Sequence, residues 1–436
     1  MDISVILPVV NERENLEILI PRLMTLLGNA GLRSEILVVD GGSTDGTREA
    51  AAALGARVVA ERGKGYAAAI ATGFEEARGD WVLTLDADLS HDPDFVAKMW
   101  RARESGDVVI ASRYARGGVA YTGAFRGFLS WLLNAFLRRV LSLPVRDLSS
   151  GYRLYRRSAL EGLKFKSTNF EVLEEILVRL YAKGYSVVEV PFTYFPREAG
   201  RSHVRLFSFG MDQLRSAARM WKLRNSLESA DYDERAYYSI IPVQRYWQRR
   251  RHHITVSWAR GAGRILDAGC GSSVIVQSLN NAVGMELNFS KLRFLRRHGI
   301  PLVRGSAFAL PFKDASFDCV ISSQVIEHIP YDEVLFSEMR RVLRPGGMLI
   351  IGTPDYATVE WRIIEPTYGF LLPSGYADEH ITHYTREKLS EILLRHGFAI
   401  EEVAYVVRSE LIVRCRKEEL PAQEQLDAPV KQSRLA

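Results

Sequence analysis

The feature that most constrains the fold is an alternation of short β-branched runs with helical segments, which occurs twice along the chain. In the first half the runs "ISVILPVV", "EILVVDGG", "DWVLTLDAD" and "DVVIASRY" are separated by segments of helical periodicity such as "NLEILIPRLMTLLG". A second series begins with "GRILDAGCGSS" and continues through "NAVGMELN" and "FDCVISSQVIEHI". Repeated strand and helix are typical of α/β folds that bind ligands at the carboxyl ends of parallel strands. The sequence therefore predicts two α/β domains.

The break between the two series predicts the domain boundaries. We expect a first domain at residues 1–225, a linker at 226–239 and a second domain at 240–416. The linker stretch "SLESADYDERAYYS" is rich in acids, tyrosines and serines and has no clear period. Residues 417–436 are polar and aperiodic, which is typical of a disordered tail.

The composition of the 436 residues, 47% hydrophobic and 25% charged, is ordinary for globular proteins. The net charge of +5 suits phosphates or anionic lipid headgroups but is too small to indicate nucleic acid, and no such partner is expected. Three cysteines without CxxC spacing predict neither a disulfide framework nor a zinc site. The N-terminus lacks the pattern of a signal peptide, and the longest apolar run, "FLSWLLNAFL", is well short of the roughly 18 residues of a spanning helix. We therefore expect a soluble protein or one that lies on a membrane surface.

The stretch "DWVLTLDADLSHDP" ends an apolar run with two acids, Asp86 and Asp88. Side chains at i and i+2 leave a strand on the same side, here at the edge where a parallel sheet binds its ligands. Carboxylate oxygens suit Mg²⁺ or Mn²⁺, which bind through one or two carboxylates and substrate phosphates. The pattern favours a divalent-metal site, and the alternative is a solvated strand end with turn-forming acids.

The ends of the preceding strands carry further polar candidates. In "LPVVNERENL", Pro8 ends the strand and Glu12 follows in the loop. In "VVDGGSTDGT", Asp40 precedes a glycine-rich turn that can adopt positive φ and approach a ligand closely. In "RGKGYAAAIATG", Lys64 stands between glycines immediately before a helix, a favourable position for binding phosphate.

The last three stretches followed by "DADLSHDP", which is their order along the chain, resemble family 2 glycosyltransferases with the GT-A fold. "ASRYARGG", "VRDLSSGYRLYRRSALE" and "VEVPFTYFPREAGRSHVRLFSF" further resemble dolichyl-phosphate mannose synthases and their polyprenyl-phosphate relatives, and the likeness covers nearly all of residues 2–225. The resemblance implies nucleotide-sugar contacts at Pro8, Val10, Glu12, Asp40, Asp45, Lys64 and Asp86.

The same resemblance implies the metal ligands and the residues that act on the phosphates. The ligands of Mg²⁺ or Mn²⁺ would be Asp86, Asp88 and Ser90. Donor and acceptor phosphates would be held by guanidinium groups, which bind phosphate in a bidentate manner. The catalytic set implied in this way is Asp86, Asp88, Arg113, Arg126 and Arg197.

No general base is evident near these positions, and the implied acceptor does not require one. A lipid monophosphate has a second pKa near 6 and is already an anionic nucleophile at neutral pH.

The chain departs from the family pattern at Gly41, where many relatives have a second Asp, and at His203, where a Lys usually follows Gly and Ser.

The stretch "AFRGFLSWLLNAFLRRVLSL" predicts an apolar helix, Phe125 to Leu143, with Arg126, Arg138 and Arg139 near its ends. Such a helix can lie at a membrane interface and meet an acceptor whose tail stays in the bilayer. Burial in the protein core would give the same pattern. A second basic segment, "DQLRSAARMWKLRN", would add headgroup contacts or form a solvated face.

The second half begins with "RILDAGCGSS", a strand that ends in an acid and a glycine turn. Glu286 follows Asp267 by about twenty residues, the spacing at which nucleotide-binding α/β domains hydrogen-bond a ribose. With "GSAFALPFKDASFDCVISSQVIEHI", "RRVLRPGGMLIIGTPD" and "DEHITHYTREKLSEILLRHGF", the segment from about residue 240 to 415 resembles class I S-adenosylmethionine methyltransferases.

This second resemblance implies a Rossmann-like domain that binds S-adenosylmethionine. The cofactor contacts implied are Asp267, Gly269, Gly271, Glu286, Leu287, Ser306, Ala307 and Ser323. Ser273 replaces the usual third glycine, and Ser306 replaces an Asp that normally accepts a hydrogen bond from the adenine amine. We expect this site to need nothing from residues before the linker, so that a chain starting near Ala236 would bind the cofactor alone.

Three histidines, His328, His380 and His383, occur in stretches that the family places around the acceptor cavity. Histidine titrates where a general base is useful, so one of them could accept the acceptor's proton. The alternative for each is a structural histidine held by hydrogen bonds.

Together these patterns predict a bifunctional transferase at the cytoplasmic face of a membrane, to which it binds peripherally. The first domain would transfer a hexose, mannose or glucose, from GDP-mannose or UDP-glucose to a polyprenyl phosphate with inversion. The second would transfer a methyl group to an acceptor that the sequence does not identify, and the oligomeric state stays open. The alternatives are a glycosyltransferase acting on a sugar hydroxyl or polysaccharide, and a second domain that binds S-adenosylmethionine, or nothing, as a scaffold.

Overall fold

A computed structural model describes residues 1–121, 124–194, 206–371 and 380–419 of the chain. Within it the chain divides into two compact units, Met1–Arg224 and Asn225–Ala436. Each unit is built on one seven-stranded sheet. Among the described residues, no helix combines the length and apolar character needed to cross a membrane.

The first unit alternates strands with helices. Its strands are β1 (Ile3–Val9), β2 (Ser34–Asp40), β3 (Arg57–Ala60), β4 (Trp81–Thr84), β5 (Val108–Ser112), β6 (Val119–Ala120), β7 (Arg153–Arg156), β8 (Val187–Pro191) and β9 (Thr193–Tyr194). Its helices are α1 (Arg13–Asn29), α2 (Thr47–Ala53), α3 (Tyr66–Glu76), α4 (Val96–Ala102), α5 (Ala124–Val140), α6 (Arg157–Leu160), α7 (Val172–Ala182) and α8 (Leu206–Arg224).

The strand order of the first sheet is β3-β2-β1-β4-β7-β5-β8, and β6 pairs with β9 apart from it. β7 is antiparallel to β4 and β5, whereas the other neighbouring pairs are parallel. The carboxyl ends of β1, β2, β4 and β5 therefore lie at one edge of the sheet, where α/β proteins bind ligands.

Buried apolar side chains cover both faces of this sheet. Along β1, Ile6 belongs to one core cluster while Val5 and Leu7 belong to the other, because successive side chains of a strand point to opposite faces. This two-sided burial explains why the strand reads as a continuous apolar run rather than as an alternation.

The second unit follows the same principle. Its strands are β10 (Ile265–Ala268), β11 (Ala282–Glu286), β12 (Leu302–Arg304), β13 (Phe317–Ser323), β14 (Leu343–Pro354), β15 (Phe398–Val406) and β16 (Glu410–Lys417). Its helices are α9 (Tyr232–Tyr237), α10 (Pro242–Ala259), α11 (Val274–Gln277), α12 (Phe289–Leu295), α13 (Glu333–Val342), α14 (Val359–Leu371) and α15 (Arg386–Arg395).

The second sheet has the order β12-β11-β10-β13-β14-β16-β15. β16 runs antiparallel to β14 and β15, and the remaining pairs are parallel. The carboxyl ends of β10, β11, β12 and β13 consequently share one edge.

The segment 226–239, expected to be a linker, is folded into the second unit. It contains α9, and its residues Ser229, Ala230 and Tyr232 are buried. The helix has only six residues, so it is too short to show a helical period in the sequence. At the other end, Lys417 of the expected tail closes β16, and residues 420–436 lie outside the described residues.

Candidate active sites

The turn after β4 carries Asp86 and Asp88 and is organised around a buried histidine. The backbone N–H of Asp86 donates to Nδ1 of His91 at 3.0 Å, and Nε2 of the same ring lies 3.9 Å from Asp86 Oδ2. His91 stacks on Tyr152 with ring centroids 5.0 Å apart. Burial lowers the pKa of His91, although the two aspartates oppose that shift. A neutral imidazole therefore holds the turn in shape.

Asp88 is oriented by Ser90. Its Oδ1 accepts hydrogen bonds from the Ser90 N–H at 3.1 Å and from the Ser90 hydroxyl at 2.5 Å. Leu89 between them adopts a φ of 60°, which folds the turn back on itself. The structure thus gives Ser90 a supporting contact to a carboxylate, in addition to the metal contact expected from the sequence.

Tyr66, at the start of α3, also approaches Asp86. A Cβ atom at Gly151 would lie 3.0 Å from the Tyr66 hydroxyl and 3.5 Å from Asp86 Oδ1, so all three groups meet in one place. Burial and the charge of Asp86 raise the pKa of Tyr66. The ring of Tyr66 stacks on Phe170 at 4.6 Å. Glycine at 151 therefore leaves room for the tyrosine beside the carboxylate.

Asp40 at the end of β2 is buried and shapes the glycine turn that follows it. Its carboxylate accepts hydrogen bonds at 3.1 Å from the N–H groups of Gly42 and Ser43, and Arg48 Nε lies 3.8 Å away. The carboxylate thus fixes the backbone at the sheet edge. Further contact with a nucleoside would use its remaining acceptor capacity.

The other two acids expected to contact the nucleotide also make local hydrogen bonds. Asp45 accepts from the Arg13 N–H at 3.3 Å, and hydrogen bonding from Thr47 lowers the pKa of Asp45 despite slight desolvation. Glu12 Oε2 accepts from Asn15 Nδ2 at 2.6 Å. The bond between Asp45 and Arg13 connects the loop after β2 with the start of α1, whereas the bond between Glu12 and Asn15 is local to the segment after β1.

Val10 and Lys64 are exposed at this edge, and Pro8 lies in β1. Packing explains why position 41 is a glycine and not the aspartate of many relatives. A Cβ atom there would lie 2.7 Å from Val10 Cγ2 and 3.4 Å from Glu61 Oε2. A second aspartate at this position would displace Val10 and bring two carboxylates together. The turn is therefore adapted to glycine.

Arg113, after β5, is paired within the protein, in contrast to the expected phosphate ligand. Its guanidinium makes a bidentate contact with Asp147, with distances of 2.8 Å and 2.7 Å, and donates to Ser149 at 2.8 Å. Asp147 is fully buried, so the pair fixes the loop before β7. Among the other expected residues, Arg197, His203 and the side chain of Arg126 lie outside the described residues.

A cavity of about 360 Å³ opens at the carboxyl edge of the second sheet. This volume lies in the range of small-molecule sites, roughly 300–1,000 Å³. The cavity brings together most of the residues implied as cofactor contacts: Gly269, Gly271, Glu286, Leu287, Ser306, Ala307 and Ser323.

Glu286 ties the glycine turn to the end of β11. Its Oε2 accepts from the Gly271 N–H at 2.9 Å, and its Oε1 accepts from the Asn288 N–H at 2.8 Å. Gly269 has a φ of 80°, and a Cβ atom there would lie 2.5 Å from Val325 Cγ2. The turn therefore requires glycine both for its conformation and for its packing.

Asp267, the remaining implied contact, lies in β10 directly before the turn and is 2% exposed. Burial, together with the charges of Glu286 and Asp233, raises its pKa to about 7. The structure thus places Asp267 in the interior and not among the residues that line the cavity. Ser273 and Ser306, the two residues that depart from the methyltransferase pattern, each make a local hydrogen bond. Ser273 caps α11 by accepting from the Ile275 N–H at 3.0 Å. Ser306 accepts from the Phe308 N–H at 3.2 Å.

The cavity is also lined by residues that the sequence did not predict as part of the site. Asp233 of α9 accepts from the Ser272 N–H at 2.9 Å and lies 3.2 Å from Lys291 Nζ. Asp233, Tyr237 and Lys291 all line the cavity. This differs from the expectation that the site needs nothing from residues before about Ala236.

The three candidate histidines occupy different places. His328 lines the cavity, and its ring centroid lies 5.0 Å from that of His380. His383 stacks on Tyr356 with centroids 4.0 Å apart and is not among the cavity-lining residues. The first two are therefore the histidines that the structure brings together beside the candidate cofactor site.

Comparison with known proteins agrees with this division. Residues 4–163 match glycosyl transferase family 2, and residues 266–351 match a methyltransferase domain. The polyprenol monophosphomannose synthase of Mycolicibacterium smegmatis is 34% identical over 243 residues, which are 52% of this chain and 89% of that protein. The chain belongs to glycosyl transferase family 2. It carries a methyltransferase domain in addition, so the expected α/β fold and the two transferase domains are confirmed.

Two further relatives add detail. The dolichol-phosphate mannosyltransferase of Pyrococcus furiosus is 37% identical over 214 residues, and the match covers 47% of this chain and 60% of that protein. A glucosyl-3-phosphoglycerate synthase from Mycobacterium tuberculosis, solved with Mg²⁺ and uridine diphosphate, is 24% identical and has a TM-score of 0.42. That match covers 50% of this chain and 79% of the solved one, and it supports no conclusion about function.

Proposed function

We propose that the first unit transfers a hexose from a nucleotide sugar to a polyprenyl phosphate. The observation that carries the proposal is the 34% identity to a polyprenol monophosphomannose synthase over 89% of that protein. The dolichol-phosphate mannosyltransferase and the polyprenol monophosphomannose synthase are both named for mannose. GDP-mannose is therefore the first donor to test, and UDP-glucose is the second.

The geometry of the β4 turn fits a divalent cation. Asp86 and Asp88 supply oxygen ligands, and His91 and Ser90 hold the backbone and one carboxylate in place. A bound Mg²⁺ or Mn²⁺ would neutralise the leaving diphosphate. Lys64, two residues before the start of α3, would bind the donor phosphates.

The alternative acceptor, a sugar hydroxyl, fits the site less well because it needs a general base. Asp147 is the acid within "VRDLSSGYRLYRR", and its two carboxylate oxygens both contact Arg113. This carboxylate is fully buried and both of its oxygens are occupied by the guanidinium, so it is not placed to contact an acceptor hydroxyl. A phosphate acceptor does not need this function.

The proposed site of membrane attachment is α5. One of its faces is in the core, where Asn134 and Leu137 are buried. Its other face exposes five large apolar side chains, each between 47% and 56% exposed: Phe128, Leu129, Trp131, Leu132 and Phe136. Arg138 and Arg139 are exposed at its end. An apolar face beside arginines suits an anionic membrane surface, in keeping with a peripheral protein on the cytoplasmic face.

For the second unit we propose binding of S-adenosylmethionine and methyl transfer to an acceptor. The cavity that gathers seven of the eight implied contacts supports this assignment. The Glu286 carboxylate would accept from the ribose hydroxyls, and the glycine turn would allow close approach of the methionine part. The bound cofactor would supply an electrophilic methyl group.

Each of the two proposals has its own experiment. The full chain is incubated with a panel of nucleotide sugars and a short polyprenyl phosphate in Mn²⁺ or Mg²⁺, and the lipid product is weighed by mass spectrometry. A mass increase of one hexose supports the first proposal, and the absence of product with every donor contradicts it. A titration with S-adenosylmethionine tests the second, because lack of binding at millimolar concentration favours the scaffold alternative.

A further inference from the structure

A compact group of metal-ligating side chains lies beside the cavity of the second unit. Glu327, His328 and His380 each offer one ligand atom, and these atoms lie within 4.8 Å of one another. Glu327 and His328 belong to the turn after β13, and His328 also lines the cavity. The backbone carbonyl of Glu327 accepts from the N–H groups of Ile381 and Thr382, at 2.8 Å and 3.0 Å. These bonds hold the segment of His380 against the turn.

The burial of the Glu327 carboxylate is a second observation that points to a bound cation. The residue is 0% exposed, and within the described part of the chain neither of its carboxylate oxygens makes a hydrogen bond of regular geometry, although Thr353 and a backbone N–H lie close enough to favour its ionised form. Burial is the main effect that disfavours ionisation of Glu327, the negative charge of Glu410 adds to it, and Arg251 opposes it. Burying a carboxylate without compensating contacts is costly. A positive ion at this position would compensate the charge.

His380 has the surroundings of a metal ligand. Its Nδ1 lies 2.7 Å from the Tyr356 hydroxyl and 3.2 Å from Glu365 Oε1. Histidines that bind metals usually contact a carboxylate or a similar group through their second ring nitrogen, which fixes the ring. Nε2 of His380 is therefore the nitrogen that we assign as the ligand.

We propose that Glu327, His328 and His380 bind a divalent transition-metal ion, which holds an acceptor hydroxyl beside the methyl donor. Two imidazoles and one carboxylate suit Mn²⁺, Fe²⁺ or Zn²⁺ better than Mg²⁺, which prefers oxygen ligands. The inference deepens the proposed methyl transfer and rests on it for the role of the ion. It assigns an oxygen nucleophile, such as a sugar hydroxyl, as the methyl acceptor.

The step balances without an oxidant or reductant. The acceptor oxygen forms a bond to the methyl carbon while the carbon–sulfur bond of the sulfonium breaks, and its electron pair goes to sulfur. The hydroxyl proton is released to water, because a divalent ion lowers the pKa of a bound hydroxyl. The products are a methyl ether, a neutral thioether and one proton.

The test uses the full chain with Asp86→Asn and Asp88→Asn, which removes the candidate carboxylate site of the first unit. Mn²⁺ is titrated by calorimetry, and pulsed electron paramagnetic resonance measures coupling to ¹⁴N. We expect one ion per chain with nitrogen coupling. Glu327→Gln and His380→Gln should each weaken Mn²⁺ binding by at least about 100-fold. His383→Gln, a control close to the group but not part of it, should leave binding unchanged.

Absence of binding in the folded Asp86→Asn, Asp88→Asn protein contradicts the proposal, as does binding without nitrogen coupling. Equal binding in the Glu327→Gln and His380→Gln proteins also overturns it. If one of these variants fails to fold, the other gives the same test. A protein that binds S-adenosylmethionine but not Mn²⁺ refutes this site alone. A protein that binds Mn²⁺ but not S-adenosylmethionine keeps the metal site and refutes the proposed methyl transfer.

Discussion

The carboxylate of Asp233 lies 3.2 Å from the ammonium group of Lys291, and both residues line the cavity of the second unit. The same carboxylate accepts from the N–H and the hydroxyl of Ser272 at 2.9 Å and 3.0 Å. Burial opposes ionisation, yet Lys291 and Ser272 hold the pKa of Asp233 below its usual range. An acid from the expected linker thus stabilises the glycine turn of the candidate cofactor site.

Replacing Asp233 with Ala should therefore weaken binding of S-adenosylmethionine at least about tenfold, because Lys291 loses its partner and the turn loses its acceptor. Breaking such a pair should lower the free energy of unfolding by roughly 3 kcal/mol. Calorimetric titration and thermal unfolding of the full chain measure both effects. Glu228→Ala, an exposed acid of the same segment, is the control. Wild-type affinity in the Asp233→Ala protein would contradict this role.

Sequence predicted the strand ends well, because local chemistry determines them. Asp86 and Asp88 end a buried run, and the turn containing Gly269 and Gly271 follows β10. Such motifs lie within a few residues, so the physical reason for each can be read directly from the chain. The mostly parallel character of both sheets follows from the repeated alternation of strand and helix.

What sequence could not predict are the partners that come from distant positions. Arg113 meets Asp147, and Asp233 meets Lys291, although 34 and 58 residues separate the members of these pairs. An isolated arginine after a strand looks the same whether it binds a phosphate or an internal carboxylate. Only the fold distinguishes them. His91 was missed for a different reason, because its contact with the Asp86 N–H depends on the shape of the turn.

Asp88→Ala should reduce sugar transfer at least about 100-fold, because it removes a proposed ligand of the cation that neutralises the leaving diphosphate. Initial rates with a polyprenyl phosphate acceptor measure the loss. Asp94→Ala, which changes a side chain that is 60% exposed on the same loop, should stay close to wild type. Near-full activity of Asp88→Ala in the presence of a chelator would refute the metal assignment.

Changing Trp131 and Leu132 to Ser should weaken binding to vesicles of mixed anionic and neutral phospholipid. These side chains belong to the exposed apolar face of α5, and their insertion would bring Arg138 and Arg139 close to the lipid charge. Sedimentation should show that binding also falls with salt, since the Debye length is about 8 Å at physiological ionic strength.

The matched control for the membrane prediction is Ile18→Ser, which removes an apolar side chain that is 52% exposed on α1. It should leave vesicle binding unchanged. Equal binding of the wild type and the Trp131 and Leu132 variant would show that α5 is not the attachment surface. No sedimentation of the wild type at low salt would contradict peripheral attachment itself.

The stability of the metal-free second unit should fall as pH rises, because of Glu327. Burial raises the pKa of Glu327 from 4.5 to about 8, so the folded state favours the protonated form. The stabilising contribution is fully present below the unfolded pKa and is lost as pH rises through the folded pKa. Each unit of pKa difference corresponds to about 1.4 kcal/mol of unfolding free energy.

Thermal unfolding of the full chain in chelator, between about pH 5 and pH 9, measures this dependence. Glu327→Gln should flatten it, since the amide does not ionise, while Asp267, whose pKa burial raises to about 7, keeps a smaller slope in the same direction. Glu410, Arg251, His328 and His380 surround Glu327 and remain in both proteins. Identical slopes for the wild type and Glu327→Gln would mean that Glu327 is ionised in the metal-free fold, with its charge already compensated by its neighbours.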